Sequence, residues 1–356
     1  MHAPAPMHDD ADRGGPKQPL LSVEGLVKHF KSKSGFLNRS GGVVRAVDNV
    51  GFSIRKGETL GVVGESGCGK STTARVLMHL IEPDAGQITF DGDPVGHPGG
   101  VSLRDIRRQM QMVFQDSYSS LNPRLSIRDT IAFGPKAQGV PARQAAEQAD
   151  RIMESVGLTA RSFAHRYPHE LSGGQRQRVN IARALAMEPR LLILDEAVSA
   201  LDKSVEAQVL NLLVDLKNDM ALTYMFISHD LNVVRYISDR VMVMYLGEVV
   251  EIGPVEDVFN KTGHPYTSGL IAAMPSLDPD RRTTRSLLEG DPPNPIDPPT
   301  GCRFHTRCPF AEVVCKSTKP RAAALKPDHV TVCHMADPLS GHKRAGMGLP
   351  HKELAE

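Results

Sequence analysis

The chain has 356 residues and carries 42 basic and 41 acidic side chains, a net charge of +1 that gives no electrostatic case for nucleic acid as a partner. Hydrophobic residues make up 40%, enough for a sizeable core in two domains or in one large domain with an appendage. No stretch approaches the roughly 18–20 apolar residues of a membrane span.

Residues 1–18 are rich in Pro, His and Asp and lack the apolar core of a signal peptide; they read as a disordered lead-in. Residues 20–30 form a first predicted strand, followed by a Lys/Ser/Gly-rich loop over 31–42. Alternation resumes from Val43 to Ile54, and Lys56-Gly57-Glu58 turns into the apolar run Thr59–Val63, read as a buried parallel strand. Next comes Gly64-Glu65-Ser66-Gly67-Cys68-Gly69-Lys70-Ser71, a complete G-x-x-x-x-G-K-[ST] phosphate loop, with a helix expected over Thr72–Leu80. Strand, glycine loop and helix are the context this motif needs. Its glycines let backbone N–H groups close on polyphosphate, and the helix N-terminus adds partial positive charge. Lys70 is placed to reach the β- and γ-phosphates, the Ser71 hydroxyl to hold Mg²⁺, and Thr72 to line the same cradle. Cys68 reads as a small filler.

Turn residues are dense from Glu82 to Gly100, around a short strand Gln87–Phe90, and Arg104–Arg108 is a basic helical or turn segment. Met110–Phe114 is a second buried strand ending on Gln115. Asp116–Pro123 is polar and turn-rich, and residues 124–170 carry helical periodicity without strands, which predicts a helical subdomain over about 116–180 within an α/β core. Leu171–Met187 reads as a helix capped by Ser172, with Val179, Ala182, Leu185 and Ala186 on one stripe. Leu191–Leu194 is a third buried strand, closing on Asp195-Glu196 in a Walker-B pattern. Lys203–Met220 is an amphipathic helix, Leu222–Ile227 a fourth strand ending on Ser228-His229-Asp230, and Val241–Glu251 a hairpin turning at Leu246-Gly247. No internal repeat is visible. From Gly253 the chain is Pro-rich and carries four of the five cysteines; 253–340 reads as an appended subdomain and 341–356 as a mobile end.

In a parallel sheet all carboxyl ends open on one edge, where ligands bind. Asp195 can hold the Mg²⁺ hydration shell, and Glu196 can orient and polarise the attacking water. Gln115 can ligate Mg²⁺ or sense the γ-phosphate, and His229 can hydrogen-bond that phosphate and keep Glu196 and water in line. Leu171-Ser172-Gly173-Gly174-Gln175 would form a second anion site at a helix N-terminus. A chain that already has its phosphate loop needs a second nucleotide to fill this site, and a dimer supplies one.

With Gln115, Asp195-Glu196, Ser199-Ala200-Leu201-Asp202 and His229 in this order, the chain over about residues 20–255 resembles the ATP-binding-cassette ATPases. The resemblance implies an α/β fold of the P-loop NTPase class. It comprises a RecA-like core, an antiparallel β subdomain and a helical subdomain within an ATPase domain over 19–252. It further implies that Phe30 stacks on adenine, that Ser172, Gly173, Gly174, Gln175 and Asp202 serve the partner's nucleotide, and that hydrolysis is coupled to transport. Ala197-Val198 departs from the Pro-Thr usual there. The segment Gln115–Arg124 and Gly263-His264-Pro265-Tyr266-Thr267 are similar to the ATPase subunits of dipeptide/oligopeptide importers, some of which move nickel or glutathione; the long loop before Ala46 looks most like the F-type subunit. Expected partners are a second ATPase, two transmembrane permease subunits and an extracytoplasmic binding protein, with this chain peripheral on the cytoplasmic face of the membrane.

Four thiols at Cys302, Cys308, Cys315 and Cys333, in a Pro-rich region too poor in apolar residues to fold firmly, suggest a metal staple. Their gaps match neither a zinc ribbon nor a ferredoxin. The family resemblance implies a [4Fe–4S] cluster on these four. Zinc, with His305 or His334 as substitute ligands, and free thiols remain open.

Overall fold

A computed structural model describes Gly15 and residues 18–31, 42–274 and 290–349. The N-terminal lead, most of the loop over 31–42 and the chain end beyond Leu349 lie outside the described residues. The strands are β1 (Pro19–Lys31), β2 (Val43–Arg55), β3 (Thr59–Val63), β4 (Ala85–Phe90), β5 (Asp93–Pro94), β6 (Met110–Val113), β7 (Leu191–Asp195), β8 (Thr223–Ile227), β9 (Arg240–Tyr245), β10 (Glu248–Pro254), β11 (Ala322–Lys326) and β12 (His329–Val332). The helices are α1 (Lys70–Leu77), α2 (Leu103–Gln109), α3 (Ile127–Ala137), α4 (Ala142–Ser155), α5 (Ala160–Phe163), α6 (Gly173–Leu185), α7 (Lys203–Asp219), α8 (Leu231–Ile237), α9 (Val255–Asn260), α10 (Pro265–Ala272) and α11 (Val313–Ser317). None of them is long and apolar enough to cross a membrane.

The chain divides into two compact units. One comprises Ser53–Thr59 and Ile88–Ser228 with the chain up to Ser22. Its β6, β7 and β8 run parallel, with Met112 opposite Ile193 and Ile193 opposite Met225. Every residue of β7 and β8 is buried, as expected of parallel strands covered on both faces. The helical insert is present: α3 packs on α4 and both pack on α6, whose Val179, Ala182 and Leu185 face inward. Burying Asp91 requires cationic partners; Lys56 and Arg190 each reach it at 2.8 Å.

The other unit comprises Val23–Phe52, Leu60–Gln87 and the chain from His229 onward. Here β3 runs parallel to β9, with Val63 opposite Val243. The expected hairpin joins β9 to β10 through Leu246 (φ 44°) and Gly247 (φ 84°), two left-handed residues that match the twist of the flanking strands. β12 pairs with β10, Glu251 opposite Thr331, and β11 with β12. The segment after Gly253 therefore continues this sheet within the same compact unit. Residues 341–349 pack against the same stretch. His342 is buried 3.0 Å from the Phe310 carbonyl oxygen, and Leu349 packs with Cys333, Met335 and Phe310.

One buried carboxylate organises this extension. Glu251 is fully enclosed and accepts hydrogen bonds from the backbone N–H of Gly263 (2.7 Å) and His264 (3.0 Å), with His329 Nε2 at 2.7 Å. It thereby fixes the turn into α10.

Candidate nucleotide site

The phosphate loop joins β3 to α1. Gly64 (φ 148°) and Gly69 (φ 108°) hold backbone that side chains disfavour. Crowding forbids them too: a Cβ would lie 2.2 Å from the Met244 carbonyl oxygen at Gly64 and 2.1 Å from that of Ala46 at Gly69. Helix α1 starts at Lys70, two residues earlier than expected, because Gly69 itself takes the N-cap position. Lys70, Ser71 and Thr72 thus form the first turn, the end of a helix that suits an anion. Buried Lys70 donates to the carbonyl oxygens of Gly64 (2.7 Å) and Glu65 (3.1 Å), with Cys68 Sγ at 3.8 Å. Burial pushes the Cys68 thiol up, which suits a filler and not a nucleophile.

Glu65 is held from outside the loop. Its N–H donates to Tyr266 Oη (2.8 Å), and its carboxylate accepts from Arg307 Nη1 (2.8 Å) and Nη2 (2.9 Å). No spacing rule pointed to Arg307, which lies 242 residues further along the chain. In the same unit Phe30 lies one residue before the end of β1, with its ring exposed and Lys28 Nζ 5.6 Å from the ring centroid. His229 is exposed just ahead of α8, whose N-cap Asp230 accepts from the N–H of Asn232 at 2.9 Å.

The remaining site residues belong to the unit containing β6–β8. Asp195 closes β7 and is buried. Glu196 follows at φ 50°, its N–H donating to the Ile227 carbonyl oxygen (2.9 Å). Its carboxylate accepts from Gln115 Nε2 at 2.9 Å, so two residues singled out separately meet at one sheet edge. Ala197 and Val198 are buried where Pro-Thr was expected. Ser199 N–H and Oγ both donate to the Glu196 carbonyl oxygen and close this turn. Ser172 caps α6 as expected. The partner in its capping box is Gln175: Ser172 Oγ accepts from Gln175 N–H (3.3 Å), and Gln175 Oε1 accepts from Ser172 N–H (3.0 Å). Gly173 and Gly174 form the first turn behind them. Asp202 is the exposed N-cap residue of α7, and its side chain makes no capping bond.

Cys302, Cys308, Cys315 and Cys333 form no disulfide, and they line one small cavity with Phe304, Phe310 and Met335. Burial pushes Cys302 up to about 11 and Cys308 and Cys333 up to about 12. Among the described residues no three His, Cys, Asp or Glu side chains gather as a single-ion site. His305 Nδ1 lies 2.8 Å from the Cys302 carbonyl oxygen and His334 Nε2 2.9 Å from that of Thr318, while His334 Nδ1 is buried without a partner.

The chain matches the model of the ABC transporter family over residues 47–199. It matches that of the oligopeptide/dipeptide transporter C-terminal region over residues 250–315. The oligopeptide transport ATP-binding protein AppF of Bacillus subtilis is 46% identical over 323 residues, covering 90% of this chain and 98% of that protein. A Brucella ovis protein named for peptide import and ATP binding is 48% identical over 316 residues, covering 88% of this chain and 97% of that protein. Among solved structures, cbiO1 from Clostridium perfringens, part of the ABC transporter complex cbiONQ, superimposes with a TM-score of 0.58 at 28% identity, covering 68% of this chain and 91% of that one. A dimeric ATP-binding cassette bound to ADP and Pi gives a TM-score of 0.56 at 28% identity, covering 66% of this chain and 98% of that one. The chain belongs to the ATP-binding proteins of the oligopeptide/dipeptide ABC transporters.

Proposed function

We propose that this chain hydrolyses ATP to drive uptake of di- and oligopeptides across a membrane. The observation that carries the chemistry is the Glu196 carboxylate, held by Gln115 at the carboxyl end of β7 beside Asp195. Lys70 and the amides opening α1 bind the phosphates, and Phe30 stacks on the base. Glu196 takes the proton of the attacking water, and His229 keeps that water and the γ-phosphate in line. The Ser71 hydroxyl, the Gln115 carbonyl and a water on Asp195 offer the hard oxygen donors that suit Mg²⁺, which when bound neutralises charge on the β- and γ-phosphates. Ser172, Gly173, Gly174 and Gln175 at the N-terminus of α6, with Asp202, act on the nucleotide of a second ATPase in a head-to-tail dimer. An F-type subunit paired with a related ATPase fits the long loop before Ala46.

Peptide as the cargo is supported by the match over 250–315 and by the names of the relatives. Two membrane permeases and an extracytoplasmic binding protein complete the importer, with this chain on the cytoplasmic face. The exposed rings of Tyr118 and Phe133, in and after the stretch following Gln115, suit a permease helix docking there. The ATPase domain is read as 19–252, with 253–340 as the transporter-type C-terminal region.

Within that region Cys302, Cys308, Cys315 and Cys333 would hold a [4Fe–4S] cluster, with zinc as the alternative. The four thiols line one cavity in the structure. A cluster there would staple the Pro-rich segment.

The test uses Glu196→Gln in the assembled complex. It should bind MgATP and stay assembled on size exclusion, while phosphate release falls at least about 100-fold. Normal turnover by this variant removes Glu196 as the base. Stimulation of wild-type turnover by nickel or glutathione and not by peptides would reassign the cargo.

A further inference from the structure

Lys70 is aimed by the carbonyls of Gly64 and Glu65, and Glu65 is fixed by two residues of the C-terminal stretch. Tyr266 is fully buried, and the Arg307 side chain is 5% exposed against 23% for Glu65. Neither can drift. The Tyr266 ring lies 4.5 Å from Tyr245 and 5.4 Å from Phe304 between centroids, and the Arg307 guanidinium sits 5.9 Å over Tyr245 and 6.0 Å over Phe304. The turn carrying Tyr266 is itself pinned by Glu251.

A carboxylate within a loop that receives polyphosphate opposes binding through like-charge repulsion. A forked guanidinium cancels that charge and sets the carboxylate's orientation together. The Tyr266 hydroxyl occupies the Glu65 N–H, so this amide anchors the loop and leaves the cradle to the residues after it. The phosphate loop thus arrives at its ligand already held, and its holder lies next to Cys308.

We propose that Arg307 and Tyr266 are positioning residues of the nucleotide site, through which the C-terminal region sets affinity for the polyphosphate. This rests on reading 64–71 as the nucleotide site and goes beyond it in making Glu65 a handle on the loop, with no phosphate contact of its own.

The experiment measures MgATP affinity with a fluorescent analogue, and turnover at saturating nucleotide, on the purified full chain. Arg307→Ala should weaken binding about tenfold while turnover stays within about threefold, and Arg307→Lys should recover only part of the loss. Adding Glu65→Gln to Arg307→Ala removes the uncompensated charge and should restore affinity to within about threefold of wild type. A merely structural arginine would show no such rescue. Wild-type affinity in Arg307→Ala, or a double variant no tighter than the single one, overturns the proposal. If circular dichroism shows Arg307→Ala unfolded, Tyr266→Phe decides: about threefold weaker binding supports it, and unchanged affinity overturns it. Failure of wild type to bind MgATP, or undiminished binding by Lys70→Ala, would instead sink the nucleotide-site reading.

Discussion

His264 is a histidine held neutral. It is enclosed at the N-cap of α10, where Nδ1 accepts the Tyr266 N–H at 3.0 Å, and burial depresses it from the usual 6.5 to about 3. Between these values the unfolded chain takes up a proton that the native state refuses. The stability this site contributes is therefore complete above about pH 6.5 and declines as pH falls toward 3. His264→Asn can keep an acceptor for the same N–H but cannot titrate. Urea unfolding at pH 7.5 and 5.5 should show wild type losing about 1 kcal/mol relative to the variant at the lower pH. Equal losses in the two proteins would show that His264 is protonated in the native state.

Among the elements, α6 was the most legible. Its start is marked by a capping serine, and its stripe by the 3.6-residue period. The strands β6, β7 and β8 and the turn at Leu246-Gly247 were readable for similar local reasons: continuous apolar runs and a dipeptide suited to left-handed backbone. The start of α1 was misplaced because a glycine can serve as either loop or cap. β11 and β12 were missed altogether. β11 is short, alanine-rich and largely exposed, and it exists through β12 and the pairing of β12 with β10, not through any pattern of its own. The Arg307–Glu65 contact escaped for the same reason, since no local signal encodes a pair so distant in sequence. The second glycine of α6 carries a packing demand that its motif does not reveal. A Cβ at Gly174 would lie 2.4 Å from Val205 Cγ1 on α7, a branched side chain with little rotamer freedom in a helix. Gly174→Ala should cost about 1–3 kcal/mol in chemical denaturation, and Val205→Ala in the same chain should return most of it. No loss in the single variant would mean that α6 and α7 can separate freely.

For the molecule as a whole, the cysteine cavity and the phosphate loop belong to one compact unit, linked through Phe304, Tyr245 and Tyr266. Purified without oxygen, the chain should be brown and contain about four irons per polypeptide, as the cluster reading requires. Cys308→Ser should lose the colour and lower the thermal midpoint. A colourless wild-type preparation without iron would reject the cluster, and zinc bound in it would assign the four residues to a single ion.

Glu196 carries one further consequence. At φ 50° it occupies a conformation that costs a side-chain-bearing residue about 1–2 kcal/mol and that asparagine tolerates better. Asn at this position should raise the unfolding free energy while abolishing turnover. With Glu196 as the proposed base, this is a point where selection for rate and selection for durability disagree, and a screen for heat-resistant variants of this protein should return inactive ones from this position.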